Sequence, residues 1–299
     1  SVENGVGQIS GGVNLVSKTP KNRDSNEVTL GFGSDNYKRF TGDFNKVVDE
    51  DLAFRLNVMG HQNTYAGRDE EMKRWGIAPS VTFGISDTTK ATLSYLYQKD
   101  ENDPQYGVPY YNGKPVKGIS DKNNYGYSNL DQQDIENQVV TFKVESEISP
   151  NAKLNSITRY SDIQQKATVS APQGTFCLAD GTSPTALTNT NQTGYKNCNV
   201  TSGSTTITVP KGSYYISGPR GYYRDTHNKQ FANDTNINVQ FKTGVVDHAL
   251  VAGVGFSRED YAITTAGYLY NSNGSSAGSS ITNPLYMDVY NPDNFWLGP

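Results

Sequence analysis

Stretches with period-2 apolar alternation begin near Glu27 and continue to about Arg258, and the gaps between them alternate in length. The gaps at Val47–Asp51, Ser86–Thr89, Ser149–Asn151 and Gly244–Asp247 are the size of tight turns. Those at Gln62–Trp75, Lys99–Asp131, Ser170–Phe231 and from Arg258 onward are long, polar and rich in Gly, Asn and Tyr. One early connection, Ser34–Tyr37, is short but falls on the long-loop side by parity. Tight turns along one edge of a sheet and large loops along the other describe an antiparallel β-barrel that crosses a membrane. In such a chain the strands hold still what the loops select.

The alternation assigns faces. Leu52, Phe54, Leu56 and Val58 alternate with Ala53, Arg55, Asn57 and Met59. Val140, Phe142, Val144 and Ile148 alternate with Thr141, Lys143, Glu145 and Glu147, and Leu250, Ala252, Val254 and Phe256 with Val251, Gly253, Gly255 and Ser257. Each set has one apolar face and one small or polar face. The polar face carries Arg55, Lys143, Glu145 and Lys242. A small, side-chain-filled barrel would desolvate such charges, so a wide lumen is expected, either wet or filled by another polar element. A soluble two-sheet sandwich also alternates, but it has no reason to place its long loops on one side only. Nine strand segments can be counted. An odd count leaves two unpaired edges, which hydrocarbon does not tolerate, so the chain is expected to be an internal piece of a longer barrel.

Composition sets the remaining bounds. Hydrophobic residues make up 34%, too few for helical spans. The longest apolar run, Ala249–Phe256, has 8 residues, against roughly 20 for a spanning helix. A barrel strand needs only about 9–11 residues, alternate ones apolar. The net charge is −4 and no basic block is present, which argues against nucleic acid as a partner. Both cysteines, Cys177 and Cys198, lie in one long polar loop. A disulfide in an oxidising compartment is the expectation; two free thiols or a metal pair are the alternatives. No secretory signal opens the chain, and the stretch from Asn291 to Pro299 reads as loop.

The opening run Gly5-Val6-Gly7-Gln8-Ile9-Ser10-Gly11-Gly12-Val13-Asn14-Leu15-Val16-Ser17-Lys18 resembles the end of the plug domain of TonB-dependent outer-membrane receptors, with Val13 in place of the usual Ile. Trp75-Gly76-Ile77-Ala78-Pro79-Ser80-Val81-Thr82 is similar to that family's IAPSLTW strand. The run from His248 to Phe256 is similar to its H-x-L-x-x-G-x-E-F strand, with Gly255 replacing the common acid. Gln105 to Pro109 and Asp288 to Pro292 resemble loop elements of siderophore receptors, and the combination resembles the Fiu/PiuA-like catecholate receptors. The resemblance implies an all-β, transmembrane antiparallel β-barrel of about 22 strands with a plugged lumen, of which this chain holds part. It implies residues 1–26 as the C-terminal end of the plug domain and its linker, and 27–299 as the N-terminal part of the barrel with long extracellular loops. It implies a transporter rather than an enzyme, placed in the outer membrane of a Gram-negative bacterium. Its partners would be a ferric siderophore, TonB acting through an N-terminal box absent from this chain, and outer-membrane lipid. Other cargo (haem, cobalamin or a glycan), a passive porin, and a soluble β-rich adhesin are the rival readings. No resident cofactor or protein-held metal is expected, because the iron would arrive already chelated.

A ferric tris-catecholate is an anion with aromatic faces, so its site calls for Arg with Tyr or Trp. Arg220 and Arg224 stand among Tyr214, Tyr215, Tyr222 and Tyr223. Tyr106, Tyr110 and Tyr111 lie beside Pro104 and Pro109, and Trp296 is the one loop tryptophan. The competing role for these rings is an interfacial girdle or loop-on-loop packing. Asp69, Glu70 and Glu71 have the wrong spacing for an EF-hand and read as a solvated loop. His61, His227 and His248 are too far apart in sequence to suggest a catalytic or metal set.

Overall fold

A computed structural model describes residues 16–105, 107–111, 114–170, 175–184, 195–216, 222–267, 281–282 and 284–296. Nine strands form one sheet: β1 (Ser25–Phe32), β2 (Lys38–Val47), β3 (Leu52–Thr64), β4 (Glu71–Phe83), β5 (Thr89–Asn102), β6 (Gln132–Ser149), β7 (Ala152–Val169), β8 (Tyr222–Thr243) and β9 (Val246–Gly267). Each pairs antiparallel with the next in chain order, the up-and-down meander of a barrel wall. No helix among the described residues is long and apolar enough to cross a membrane.

The strands outrun the alternation that announces them. The loop expected at 62–75 is only the connection 65–70, because β3 continues to Thr64 and β4 begins at Glu71. β8 begins at Tyr222 rather than near Phe231, and β9 continues to Gly267 rather than Arg258. A 22-residue strand is roughly 70 Å long at about 3.3 Å per residue, well over twice the ~30 Å hydrocarbon layer. The surplus stands above the lipid at the long-loop end. There both faces are wet, so apolar alternation vanishes although the backbone ladder continues.

Register turns local alternation into two continuous surfaces. Phe54, Val81, Leu93 and Phe142 lie directly opposite one another across β3 to β6. On this face Phe54 is 47% exposed, Leu93 45% and Phe142 46%. Apolar exposure of this extent on one face suits lipid, not water. Toward the long loops this face carries Trp75 packed on Tyr97 at 5.1 Å, with Tyr160 opposite Phe231. Charged pairs follow, including Lys99–Glu101 at 2.8 Å, so the aromatics mark the upper edge of the apolar band.

The opposite face is polar and tied together. Thr82 and Thr92 hydroxyls bond at 2.8 Å, and Lys143 meets Glu145 at 2.7 Å. Arg55 is buried and grips Asp43 through Nε and a terminal nitrogen, both at 2.8 Å. The segment leading into β1 crosses this face. Arg55 donates to the Thr19 carbonyl at 2.7 Å, and Lys18 reaches Asp43 at 2.7 Å. The Asn45 side chain accepts from the Lys21 amide and donates to the Lys21 and Arg23 carbonyls. An extended segment thus satisfies its backbone on the wall instead of in water.

Two hairpins show how local chemistry closes the edges. Asp35 and Asn36 both adopt φ of 54°, the left-handed pair that a tight hairpin demands and that Asp and Asn tolerate. Asp35 then receives the Thr64 amide at 2.8 Å on its carbonyl and the Gly67 amide at 2.9 Å on its carboxylate, joining two connections at the same end. Gly244, at φ 61°, makes the two-residue turn between β8 and β9.

Candidate ligand-recognition surface at the long-loop end

The two buried apolar clusters among the described residues lie in the loops. Val116, Ile119, Tyr125 and Tyr127 come from the β5–β6 connection, Phe176, Leu178 and Tyr214 from the β7–β8 connection, and Met287 and Val289 from the segment after β9. Together they form one buried cluster, a folded lobe above the wall. Phe176 stacks on Tyr214 with centroids 4.3 Å apart, and Tyr125 meets Phe176 edge-on at 5.6 Å. Residues Ser213–Ile216 pair as a strand with Leu285–Asp288. The Tyr125 hydroxyl donates to the Val289 carbonyl at 2.6 Å, and the Tyr290 hydroxyl accepts from the Ala179 amide at 2.9 Å. Cys177 and Cys198 are joined by a disulfide inside a second small cluster with Val209 and Tyr215.

This packing decides what the predicted ligand residues do. Tyr214 is 1% exposed, sandwiched in the lobe core, and Tyr215 is buried beside the disulfide. Both are therefore corrected from ligand contacts to packing residues; the rings they would present to an aromatic anion are already covered. Trp296 lies edge-on to Tyr127 at 5.4 Å and exchanges backbone bonds with the Asn129 side chain at 2.7 and 2.8 Å. It is fixed in the lobe with part of its ring uncovered. Arg220 and Tyr106 lie outside the described residues, and Tyr110, Tyr111 and Tyr222 are described only as strand backbone. Arg224 is exposed on the inner face, opposite Ala167 and Thr265. Tyr223, its neighbour in β8, faces the other way, and its hydroxyl reaches Asp225 at 3.4 Å. The two cannot serve one site.

The acidic run reads differently as well. Glu70 is buried, not solvated, because Arg68 clamps both of its oxygens, with Nε at 2.9 Å. Arg68 also donates to the Asp121 carbonyl at 2.7 Å, so this pair fastens the β3–β4 turn to the lobe. At the lobe's neck, Asp131 precedes β6 and Ser170 follows β7. Burial pushes the Asp131 carboxyl above its ordinary range, while Asp131 Oδ1 and Ser170 Oγ have no hydrogen bond of good geometry. Burial likewise raises the Tyr127 hydroxyl to about 12.

A sheet with an apolar outer band edged by aromatics, a charged inner face and a folded lobe above one rim is the wall of an outer-membrane β-barrel. No family model matches the chain. Curated proteins similar to it include siderophore receptors. It is 38% identical over 170 residues (54% of the chain) to the probable TonB-dependent siderophore receptor PiuA of Acinetobacter baumannii, covering 23% of that protein. It is 28% identical over 298 residues (95% of the chain) to the catecholate siderophore receptor Fiu of Escherichia coli, covering 34% of it. The crystal structure of PiuA from Acinetobacter baumannii superposes with a TM-score of 0.71 at 26% identity, over 96% of this chain and 38% of that one. The chain thus spans about a quarter to a third of these relatives, and its nine-stranded sheet corresponds to part of their barrel.

Proposed function

We propose that this chain forms part of a TonB-dependent receptor that binds a ferric siderophore, of the catecholate type, and carries it inward across the outer membrane. The observation that carries this reading is the likeness to Fiu and PiuA along nearly the whole chain, in a wall whose outer face suits lipid. Residues 1–26 are read as the end of the plug and its link to the barrel. The tethering of Lys18 to Arg23 along the inner wall supports that placement. TonB would act through a part of the protein outside this chain. Transport of an intact chelate needs no bond to be broken by the protein, so neither a catalytic group nor a resident cofactor belongs to this reading. Arg224 on the inner face, with Arg220, remains the proposed contribution of the β7–β8 connection to the ligand.

The test is a fluorescence-quenching titration of the complete receptor in detergent with a ferric catecholate, a ferric hydroxamate and haem. Saturable quenching by the catecholate at lower concentration than the others supports the reading. Preference for haem or the hydroxamate keeps the fold and replaces the cargo.

A further inference from the structure

We infer that residues 19–24 are a strap that belongs mechanically to the wall, held there by Arg55 as a positioning residue. A conformational change in the part of the protein before Ser17 then ends at a joint between Ser17 and Thr19. The bearing of this strap on transport rests on the function proposed above. The sequence here is Lys18-Thr19-Pro20-Lys21-Asn22-Arg23-Asp24. Pro20 fixes its own φ and keeps Thr19 out of the helical region, so the run is stiff and extended before any contact is made. Pro20 is also buried, whereas Val16, just before the joint, is 82% exposed.

Three elements hold the strap. On β3, the Arg55 guanidinium is divided between two tasks. Nε and one terminal nitrogen bind the Asp43 carboxylate, and the other terminal nitrogen donates to the Thr19 carbonyl. The side chain is 6% exposed, so water competes little for these bonds. On β2, the Asn45 side chain spends its acceptor on the Lys21 amide and both donors on the Lys21 and Arg23 carbonyls, at 2.7–2.8 Å. Asn45 is 1% exposed. It thus does for the strap what a neighbouring strand would do. Asp24 receives the Val47 amide at 2.8 Å, just before β1 begins. In the β4–β5 turn, Ser86 Oγ accepts from the Asn22 side-chain amide at 2.9 Å.

The contact on the other side of Thr19 is of a different kind. Lys18 reaches Asp43 at 2.7 Å, but its side chain is 61% exposed, and an exposed ion pair contributes little. Firm attachment therefore begins at Thr19. Arginine suits its divided task, because a planar fork can take a carboxylate with two nitrogens and leave a third for a carbonyl; a lysine ammonium cannot. A released run from Thr19 to Asp24 would give roughly 20 Å of slack at about 3.3–3.6 Å per residue. Docked, the strap gives a displacement imposed upstream a fixed end to work against. Released, it absorbs that displacement.

The experiment uses the complete receptor in detergent, with hydrogen exchange followed as urea is raised. The expected result is that the Lys21 amide and peptides spanning 19–24 lose protection together with β2 and β3, at higher urea than peptides ending before Ser17. Arg55→Leu should speed exchange over 19–24 by about tenfold or more, the size of one charge-assisted hydrogen bond, while β6 and β7 stay as protected as in the native protein. Arg55→Lys should not restore the native rate. Asn45→Ala should release the same peptides with the Arg55–Asp43 pair intact, which separates loss of the strap from disturbance around an unpaired Asp43. In cells, Arg55→Leu and Asn45→Ala should bind ferric tris(2,3-dihydroxybenzoate) with native affinity yet import it more slowly, a split that general loss of stability does not produce. Exchange of 19–24 in step with the peptides before Ser17 would mean that no strap exists. Native import rates in both variants would remove the positioning role. A native receptor that ignores the ferric catecholate would sink the proposed cargo, while the exchange result still decides whether the strap exists.

Discussion

The wall and the lobe obtain their stability in opposite ways. Among the described residues the wall's large apolar side chains mostly point outward, and its inner face is largely polar, joined by pairs such as Arg55–Asp43 and Thr82–Thr92. Its exposed apolar face suits lipid rather than water. The lobe is a small globular body, with a buried cluster drawn from three separate connections, a disulfide and inter-loop backbone bonds. The described parts of these connections pack on one another instead of standing apart. The described parts of three of them share one core, so anything that moves one moves the others.

The largest expected effect tests that sharing. Tyr214→Ala should destabilise the lobe by about 3–5 kcal/mol, as removal of a large buried aromatic does. Hydrogen exchange should show lost protection across all three connections together while β2 to β7 stay protected. Loss confined to residues 213–216 would show that the loops are separate after all. Next, Cys177→Ser with Cys198→Ser should cost about 3 kcal/mol in the chain-entropy model for a loop of this size. Heat-induced loss of lobe protection, measured with and without reductant, checks it. A charge on the outer face should strike the wall alone: Phe142→Arg should cost roughly 2 kcal/mol or more in a bilayer. Its readout is the denaturant midpoint of barrel folding into vesicles, with lobe protection in the folded fraction unchanged.

The smallest expected effect lies where the two regions meet. Burial raises the Asp131 carboxyl, so between its ordinary pKa and the raised one the folded neck binds more proton than the unfolded loop. The stability contributed by that proton is full below the ordinary carboxylate pKa of about 3.9 and is lost as pH rises through the raised value. Asp131→Asn should remove this pH dependence and stabilise the neck at neutral pH by about 1 kcal/mol, the scale of one satisfied buried hydrogen bond. Exchange rates of the Tyr127 and Asp131 amides between pH 4 and pH 8 provide the measurement; unchanged rates would show that the carboxyl is already satisfied.

Much of the wall was legible beforehand. Leu52 to Val58 and Leu250 to Phe256 announce their faces by period 2, and the parity of short and long gaps announces the meander. The upper halves of β8 and β9 were not legible, since polar residues occur on both faces from Tyr223 to Gln230 and from Glu259 to Thr265, and they carry no periodic signal. The residues expected to meet a ligand fared unevenly for a related reason. Tyr214 and Tyr215 look like binding aromatics because composition does not reveal burial, and only packing against Phe176 and the disulfide does.

By itself, the sequence determined which side chains lie on the apolar face and which on the polar face, because a strand's alternation is a local property of an extended backbone. It also determined where the chain turns, through residues such as Asp35, Asn36 and Gly244. Only the tertiary structure decided what lies next to what: the clasp of Arg55 on the Thr19 carbonyl, and the lobe core assembled from three connections. Those neighbours are set by strand register and loop packing, which depend on contacts between residues tens to more than a hundred positions apart.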